Sequence, residues 1–169
     1  VNFTLLEEYG EIKQKRIQDF FEYQNFLKKN EIILDQNERE KLISQRIRSI
    51  CKSKSYKELL DQSLLSEVVN LVDKPRVIVA NFDKSYLKLP KEIIKSTLQS
   101  HQKYFTLSDD KDRMSNEFII VTNNKDEKKL IKIGNERVVE ARLSDANFFW
   151  ERDRSLNLIK QINKLKKVT

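Results

Sequence analysis

Apolar residues in the first thirty positions recur every three or four residues, the spacing expected of one face of a helix. Ile17, Phe20 and Leu27 follow this spacing among lysines and glutamates, which predicts a helix over about residues 11–29. The next run, residues 31–34, reads Glu-Ile-Ile-Leu and predicts a short strand. The N-terminal part of the chain is therefore expected to be mainly helical.

A second helix is predicted over residues 36–52. Ile43, Ile47 and Ile50 form its apolar stripe, and Asp35 is placed to accept hydrogen bonds from the first backbone N–H groups of the helix. The remaining faces carry five basic side chains: Arg39, Lys41, Arg46, Arg48 and Lys52. This is the most basic helix predicted in the chain.

The middle of the chain alternates helical and strand-like segments. A polar stretch at residues 52–62 predicts a linker, and Ser63 can cap the short apolar helix that follows it. Pro90 suits the first turn of another helix, because its missing N–H would be unpaired there anyway. Strand-like runs occur at residues 76–82, 104–107 and 117–123. These runs predict a small antiparallel sheet.

Helical periodicity resumes at about residue 126, with an interruption predicted near Gly134. A stripe at i, i+4, i+7 and i+11 is expected to pack on the sheet: Val139, Leu143, Ala146 and Trp150. Residues 156–168 predict a separate basic amphipathic helix.

Together these elements predict an α+β fold, in which helices pack on a small antiparallel sheet between a helical N-terminal segment and a basic C-terminal helix. We expect three parts: mainly helical residues 1–62, sheet-containing residues 63–125 and helical residues 126–169.

The excess of basic side chains has two interpretations. The 169 residues include 33 Lys and Arg against 26 Asp and Glu, a net charge of +7, and 35% of all residues are charged, compared with about 25% in typical soluble domains. One interpretation is a polyanionic partner. The other is an AT-rich genome, which enriches lysine, asparagine and isoleucine without any ligand.

A single cysteine, Cys51, excludes an internal disulfide and a structural zinc site built on cysteine pairs. No apolar run approaches the roughly 20 residues of a membrane span. Because the sequence opens at Val1 without a methionine and stops in a run of lysines, we expect an internal piece of a larger soluble, cytoplasmic protein.

No catalytic constellation can be recognised. His101 is the only histidine and could serve as a general base or contact a phosphate, but a partly buried histidine on an apolar stripe is the simpler expectation. Cys51 could have a lowered pKa near its arginine neighbours, yet a packing role is favoured. Phosphate-binding glycine loops and a zinc-protease helix motif are both missing. No catalytic residue and no metal site are predicted.

Arg142 and Asp145 lie three residues apart on the predicted C-terminal helix, flanked by Val138 and Phe149. At this spacing the two side chains can pair. A structural ion pair, buried between the helix and the sheet, is favoured over an Arg142 side chain that binds phosphate.

The segment around His101 mixes basic and aromatic side chains at a predicted helix end. His101, Lys103, Tyr104 and Phe105 together form the type of surface that can stack nucleic-acid bases.

The motifs assemble into a pattern that resembles the beta subunit of bacterial heterotetrameric glycyl-tRNA synthetase. The pattern consists of HQKYF at residues 101–105, GNERV at residues 134–138 and ARLxDAxFF at residues 141–149, in the family's order and spacing. Segments at residues 63–72 and 89–92 are similar to the same family. The resemblance covers about residues 63–153, is weaker upstream, and does not extend to residues 1–20.

The resemblance implies that the chain is a part of an aminoacyl-tRNA synthetase, a ligase of protein biosynthesis. In this family the alpha subunit carries the class II core that binds ATP, magnesium and glycine, and the beta subunit supplies tRNA recognition and assembly. No cofactor is therefore expected in this chain. The implied partners are tRNA(Gly), the alpha subunit and the remainder of the beta subunit, with no membrane.

Three hypotheses follow from this resemblance. The first is a non-catalytic tRNA-binding and assembly module, the second is a scaffold that docks the alpha subunit without touching RNA, and the least favoured is an editing domain using His101. The candidate RNA-binding residues for the first hypothesis are Arg39, Arg46, Arg48, His101, Lys103, Tyr104 and Arg137.

Overall fold

The computed structural model describes residues 2–6, 12–58 and 60–155. Within them, five α-helices occur: α1 (Phe20–Lys29), α2 (Gln36–Ser53), α3 (Gln62–Leu71), α4 (Lys91–Lys95) and α5 (Leu130–Ser155). The strands are β1 (Asn2–Leu6), β2 (Ile12–Arg16), β3 (Arg76–Asn81), β4 (Phe105–Ser108) and β5 (Met114–Thr122). A 3-10 helix spans Lys84–Lys88, and a π-helix at Ser96–His101 directly follows α4. The predicted α+β class is confirmed.

The central layer is a three-stranded antiparallel sheet with the order β3-β5-β4. Successive side chains of a strand point to opposite faces, and here both faces are apolar. Val79 and Ile119 belong to the core cluster that contains α2 and α3, whereas Ala80 and Phe118 belong to the cluster that contains α4, the π-helix and α5. The sheet is thus covered by helices on both sides.

The first helical layer is built by α2 and α3. Asp35 caps α2 by accepting a hydrogen bond from the Asn37 N–H at 2.7 Å, and Ile43 and Ile47 are buried as predicted. The cap of α3 is Asp61 rather than Ser63. Because this core joins α2 to α3 and to the sheet, the packing does not divide at residue 62, where the sequence predicted a boundary.

The second helical layer is built by α4, the π-helix and α5. The helix α5 runs through Gly134 without the predicted interruption, since a glycine weakens a helix without breaking it. Val139 and Leu143 are fully buried against the sheet and the π-helix, with Trp150 packed at the edge of this core. The predicted apolar stripe of this helix is confirmed at Val139, Leu143 and Trp150.

The first predicted helix is confirmed only from Phe20 onward, and the predicted strand at residues 31–34 is wrong. Residues 12–16 form a strand paired with β1, and the first helix begins only at Phe20, where Asp19 accepts a hydrogen bond from the Glu22 N–H. Residues 31–34 form no strand, because the Ile33 N–H donates to the Asp73 carbonyl outside any ladder. The predicted helix at residues 156–168 lies outside the described residues.

Candidate nucleic-acid interface

Arg39 is part of the fold rather than of an open surface. Its Nε donates to the Val69 carbonyl at 3.1 Å, and its Nη1 donates to the carbonyls of Ile33 and Leu34 at 2.7 Å each. One guanidinium thereby joins α2, the end of α3 and the loop before α2. The sequence grouped Arg39 with the RNA-binding candidates, but three of its five N–H donors are used by backbone carbonyls.

Arg46 faces a groove between α1 and α2. The groove has a volume of about 710 Å³, and Arg46 lines it together with Phe20, Tyr23 and Leu42. Arg48 is not among the residues that line this groove, and two helix positions further on it lies on a different side of α2. The three arginines that the sequence placed together do not form one surface.

A different set of α2 side chains does share one solvent face. Lys41, Arg48 and Lys52 are all exposed, and positions i, i+7 and i+11 of a helix return to within about 20° of the same direction. None of the three forms an ion pair with another residue that the structure describes. We refer to Lys41, Arg48 and Lys52 as the basic stripe. The 3.6-residue period of the basic positions could have identified it in the sequence.

Two hollows border the basic stripe. A shallow depression of about 360 Å³ lies along it, lined by Lys41, Arg48, Gln45 and Glu40 among others. On the other side of Arg48, a cavity of about 320 Å³ separates α2 from Thr106 in β4. A polyanion on this face would meet three cations held by a rigid helix, with the carboxylates of Glu40 and Glu58 at its edges.

The segment at residues 101–105 ends the π-helix and connects it to β4. Lys103 adopts a left-handed backbone conformation with φ 58°, and the Tyr104 N–H reaches back to the Leu98 carbonyl at 3.0 Å. This resembles a Schellman closure lengthened by one residue, as a preceding π-helical turn requires. His101 is exposed at the helix end, not partly buried as the sequence suggested.

Tyr104 and Lys103 are less available to RNA than predicted. Tyr104 is only 7% exposed and packs on Phe118 with the ring centroids 5.2 Å apart. Burial also raises the pKa of its hydroxyl, which donates to Asn135 Oδ1. Lys103 Nζ lies 2.5 Å from Glu67 Oε2 in a partly exposed ion pair. Tyr104 is a core residue, so it cannot stack a base.

The structure brings the segments 101–105 and 134–138 together. Tyr104 bonds to Asn135, and the adjacent Glu136 Oε1 accepts a hydrogen bond from the Asn81 N–H at 2.9 Å at the end of β3. One turn later Glu140 accepts from the Asp83 N–H at 2.7 Å. These contacts fix α5 to the sheet. Arg137, between them in sequence, is exposed.

The predicted buried ion pair on α5 is wrong. Arg142 and Asp145 are both exposed and make no ion pair with each other in the described structure. Val139 and Leu143 take the positions that face the sheet, which turns Arg142 and Asp145 toward solvent.

The reactive groups considered in the sequence are held in packing or solvated positions. Burial, followed by the charge of Glu58, raises the pKa of the Cys51 thiol, so the thiol is not activated. The acidic β4–β5 turn is a solvated hairpin, in which Asp109 pairs with Arg113. Within the described range no group of His, Cys, Asp and Glu could hold a metal, and no helix there is long and apolar enough to cross a membrane.

Comparison with known proteins identifies relatives over nearly the whole chain. The family model described as glycyl-tRNA synthetase beta subunit matches residues 4–169. Glycine–tRNA ligase beta subunits of Streptococcus agalactiae and Streptococcus mutans are each 38% identical over 149 residues, covering 87% of this chain and 22% of the relative. The corresponding subunit of Streptococcus pneumoniae is 37% identical over 159 residues, covering 93% of this chain and 23% of the relative.

The chain thus spans between a fifth and a quarter of the length of these curated relatives. The match to the family model extends over almost all of its residues, including the segments 101–105 and 134–149 that the fold brings together. The chain belongs to the family of glycyl-tRNA synthetase beta subunits.

Proposed function

We propose that this chain is a non-catalytic part of the beta subunit of a glycine–tRNA ligase, and that it contacts tRNA(Gly) through the basic stripe. Membership of the family supports the assignment to a glycine–tRNA ligase. The positive charge of the basic stripe supports a contact with the negatively charged tRNA. Glycine activation, with its ATP and magnesium, is assigned to the alpha subunit.

The observation that carries the proposal is the geometry of the stripe. Lys41, Arg48 and Lys52 project from one side of an 18-residue helix, and their charges are not neutralised by a described carboxylate partner. Tracks of exposed cations bind phosphate backbones without reading sequence, and they do so by releasing condensed counterions. The stripe therefore fits a positioning contact to the tRNA backbone, while specificity for the anticodon or acceptor bases would come from elsewhere in the enzyme.

The test is tRNA(Gly) affinity of the assembled enzyme across a salt series. Replacing Lys41, Arg48 and Lys52 by glutamine is expected to weaken binding and to lower the slope of log affinity against log salt by about two to three, at roughly 0.7 to 0.9 for each phosphate contact. The matched control replaces three exposed lysines on the other side of the sheet: Lys84, Lys88 and Lys95.

The control is expected to leave the slope unchanged, and tRNA-independent glycine activation should be the same in both variants. Equal slopes for the stripe variant and the wild type would contradict the proposal. The remaining candidate function would then be a scaffold that docks the alpha subunit without contacting RNA.

A further inference from the structure

One face of α5 exposes apolar side chains that the fold does not use. Val138 is 42% exposed, Phe148 60% and Phe149 57%, although the same helix buries Val139 and Leu143 completely. The two phenyl rings lie edge to face with centroids 5.5 Å apart. We define the α5 outer face by six exposed residues: Val138, Ala141, Arg142, Asp145, Phe148 and Phe149.

The charges on this face are also without described partners. Arg142 and Asp145 lie between Val138 and Phe149 on the helix surface, and no described carboxylate or cation pairs with either. Aromatic side chains and arginine are enriched at protein interfaces, and a cation beside an anion can fix the register of a docked segment. The residues 141–149 that carry the family resemblance are thus mostly turned away from the fold that has been described.

We infer that the α5 outer face is an intramolecular docking surface, covered by the part of the beta subunit that lies outside these 169 residues. This inference rests on the proposed function, because it places the chain within a complete beta subunit. The curated relatives are covered to only 22–23% of their length, so more than three quarters of such a polypeptide is left to supply the cover. A covalently attached segment also reaches the face at millimolar effective concentration, without the cost of a second encounter.

A second copy of the chain fits the face less well. An antiparallel pair of α5 helices centred between Leu143 and Ser144 would place Arg142 against the partner's Asp145 and Val138 against the partner's Phe149. That arrangement buries only about three turns of each helix. A standard interface uses roughly 20–30 residues a side, whereas six residues define the α5 outer face.

Hydroxyl-radical footprinting without tRNA tests the inference. The oxidation rates of Phe148 and Phe149 are compared between the 169-residue chain, the complete beta subunit and the complete enzyme. Phe148 and Phe149 are 57–60% exposed in the chain. If the rest of the beta subunit buries them to below a tenth, their oxidation rates should fall about five-fold in the complete beta subunit, before the alpha subunit is added. Phe82, only 3% exposed in the chain, is the internal reference and should react slowly in all three samples.

The alternative occupants give different patterns. Protection that occurs only after the alpha subunit is added would assign the face to that subunit and overturn the inference. Protection of the 169-residue chain that rises with its concentration would assign the face to a second copy, and rapid oxidation in every sample would leave it a free surface. Because tRNA is absent, none of these results depends on the tRNA contact of the basic stripe.

A charge variant separates docking from folding. Arg142→Glu should restore rapid oxidation of Phe149 in the complete beta subunit. The covering segment would then meet two carboxylates, at positions 142 and 145, where it normally meets one cation and one anion. The matched control is Arg154→Glu, an exposed position of α5 outside the α5 outer face, and it should keep Phe149 protected. Both variants change only exposed side chains, so circular dichroism of each should match that of the wild type.

Discussion

At the scale of single residues, Arg39 is distinguished by its three acceptors. The carbonyls of Val69, Ile33 and Leu34 come from two different segments, and each loses a charged donor when the guanidinium is removed. Hydrogen bonds to charged groups contribute about 1.5–3 kcal/mol each when isolated, and removing a shared donor costs less than the sum. We therefore expect Arg39→Gln to lower the free energy of unfolding by about 2–4 kcal/mol.

Urea unfolding followed by circular dichroism measures this effect, with Arg48→Gln as the matched control on the same helix. Arg48 is exposed and is expected to change the free energy of unfolding by no more than about 0.5 kcal/mol. Equal stability of the two variants would show that the Arg39 contacts contribute nothing.

At the scale of elements, the loop after α2 is joined to the middle strand of the sheet by a three-residue network. Lys54 Nζ lies 2.8 and 2.9 Å from the two carboxylate oxygens of Glu117, and the Tyr56 hydroxyl donates to Glu117 Oε2 at 3.0 Å. Burial alone would raise the pKa of Glu117, but the hydrogen bonds from Lys54 and Tyr56 outweigh it and leave the pKa below its ordinary value of 4.5.

The lowered pKa of Glu117 makes stability depend on pH in a defined direction. The network stabilises the fold above the ordinary pKa of 4.5, and this contribution is lost as the pH falls through the lower pKa of the folded state. Glu117→Gln should therefore cost about 1 kcal/mol at pH 7, and the difference from wild type should shrink as the pH falls below 4.5 through the lower pKa of the folded state.

Urea midpoints at pH 7, 5 and 3.5 check this, with Glu151→Gln, an exposed change on α5, as the control. A difference between Glu117→Gln and wild type that stays constant over this range would show that the carboxylate charge does not stabilise the loop.

Hydrophobic periodicity predicted some features of the elements and missed others. The spacing of Ile43 and Ile47 correctly predicted which side of α2 is buried, because an amphipathic helix buries its apolar stripe. The roles of Arg39 and Tyr104 depend on groups about 30 residues away in sequence, and no local pattern reports such contacts. Residues 12–16 pair with a strand ten residues earlier, although Ile12 is their only strongly apolar side chain, so their own pattern indicates no strand.

At the scale of the whole molecule, the two surfaces proposed to act lie on opposite sides of the sheet. The helix α2 with the basic stripe packs on one face through Ile43 and Ile47, and α5 packs on the other through Val139 and Leu143. A tRNA on the stripe would therefore not compete with a segment that covers the α5 outer face. The chain can serve as a connecting layer between RNA and the rest of the beta subunit.

Photo-crosslinking can detect a direct contact between the basic stripe and tRNA. Gln45 is exposed and lies beside Lys41 and Arg48 in the depression along the stripe, so a photoreactive amino acid can replace it without removing a cation. Ser85, exposed in the 3-10 helix across the sheet, is the control position.

In the assembled enzyme we expect a crosslink from position 45 to tRNA(Gly), lost on competition with unlabelled tRNA(Gly) or at high salt, and none from position 85. A crosslink from position 45 to the alpha subunit, or no tRNA crosslink there while the enzyme still binds tRNA, would contradict the proposed contact.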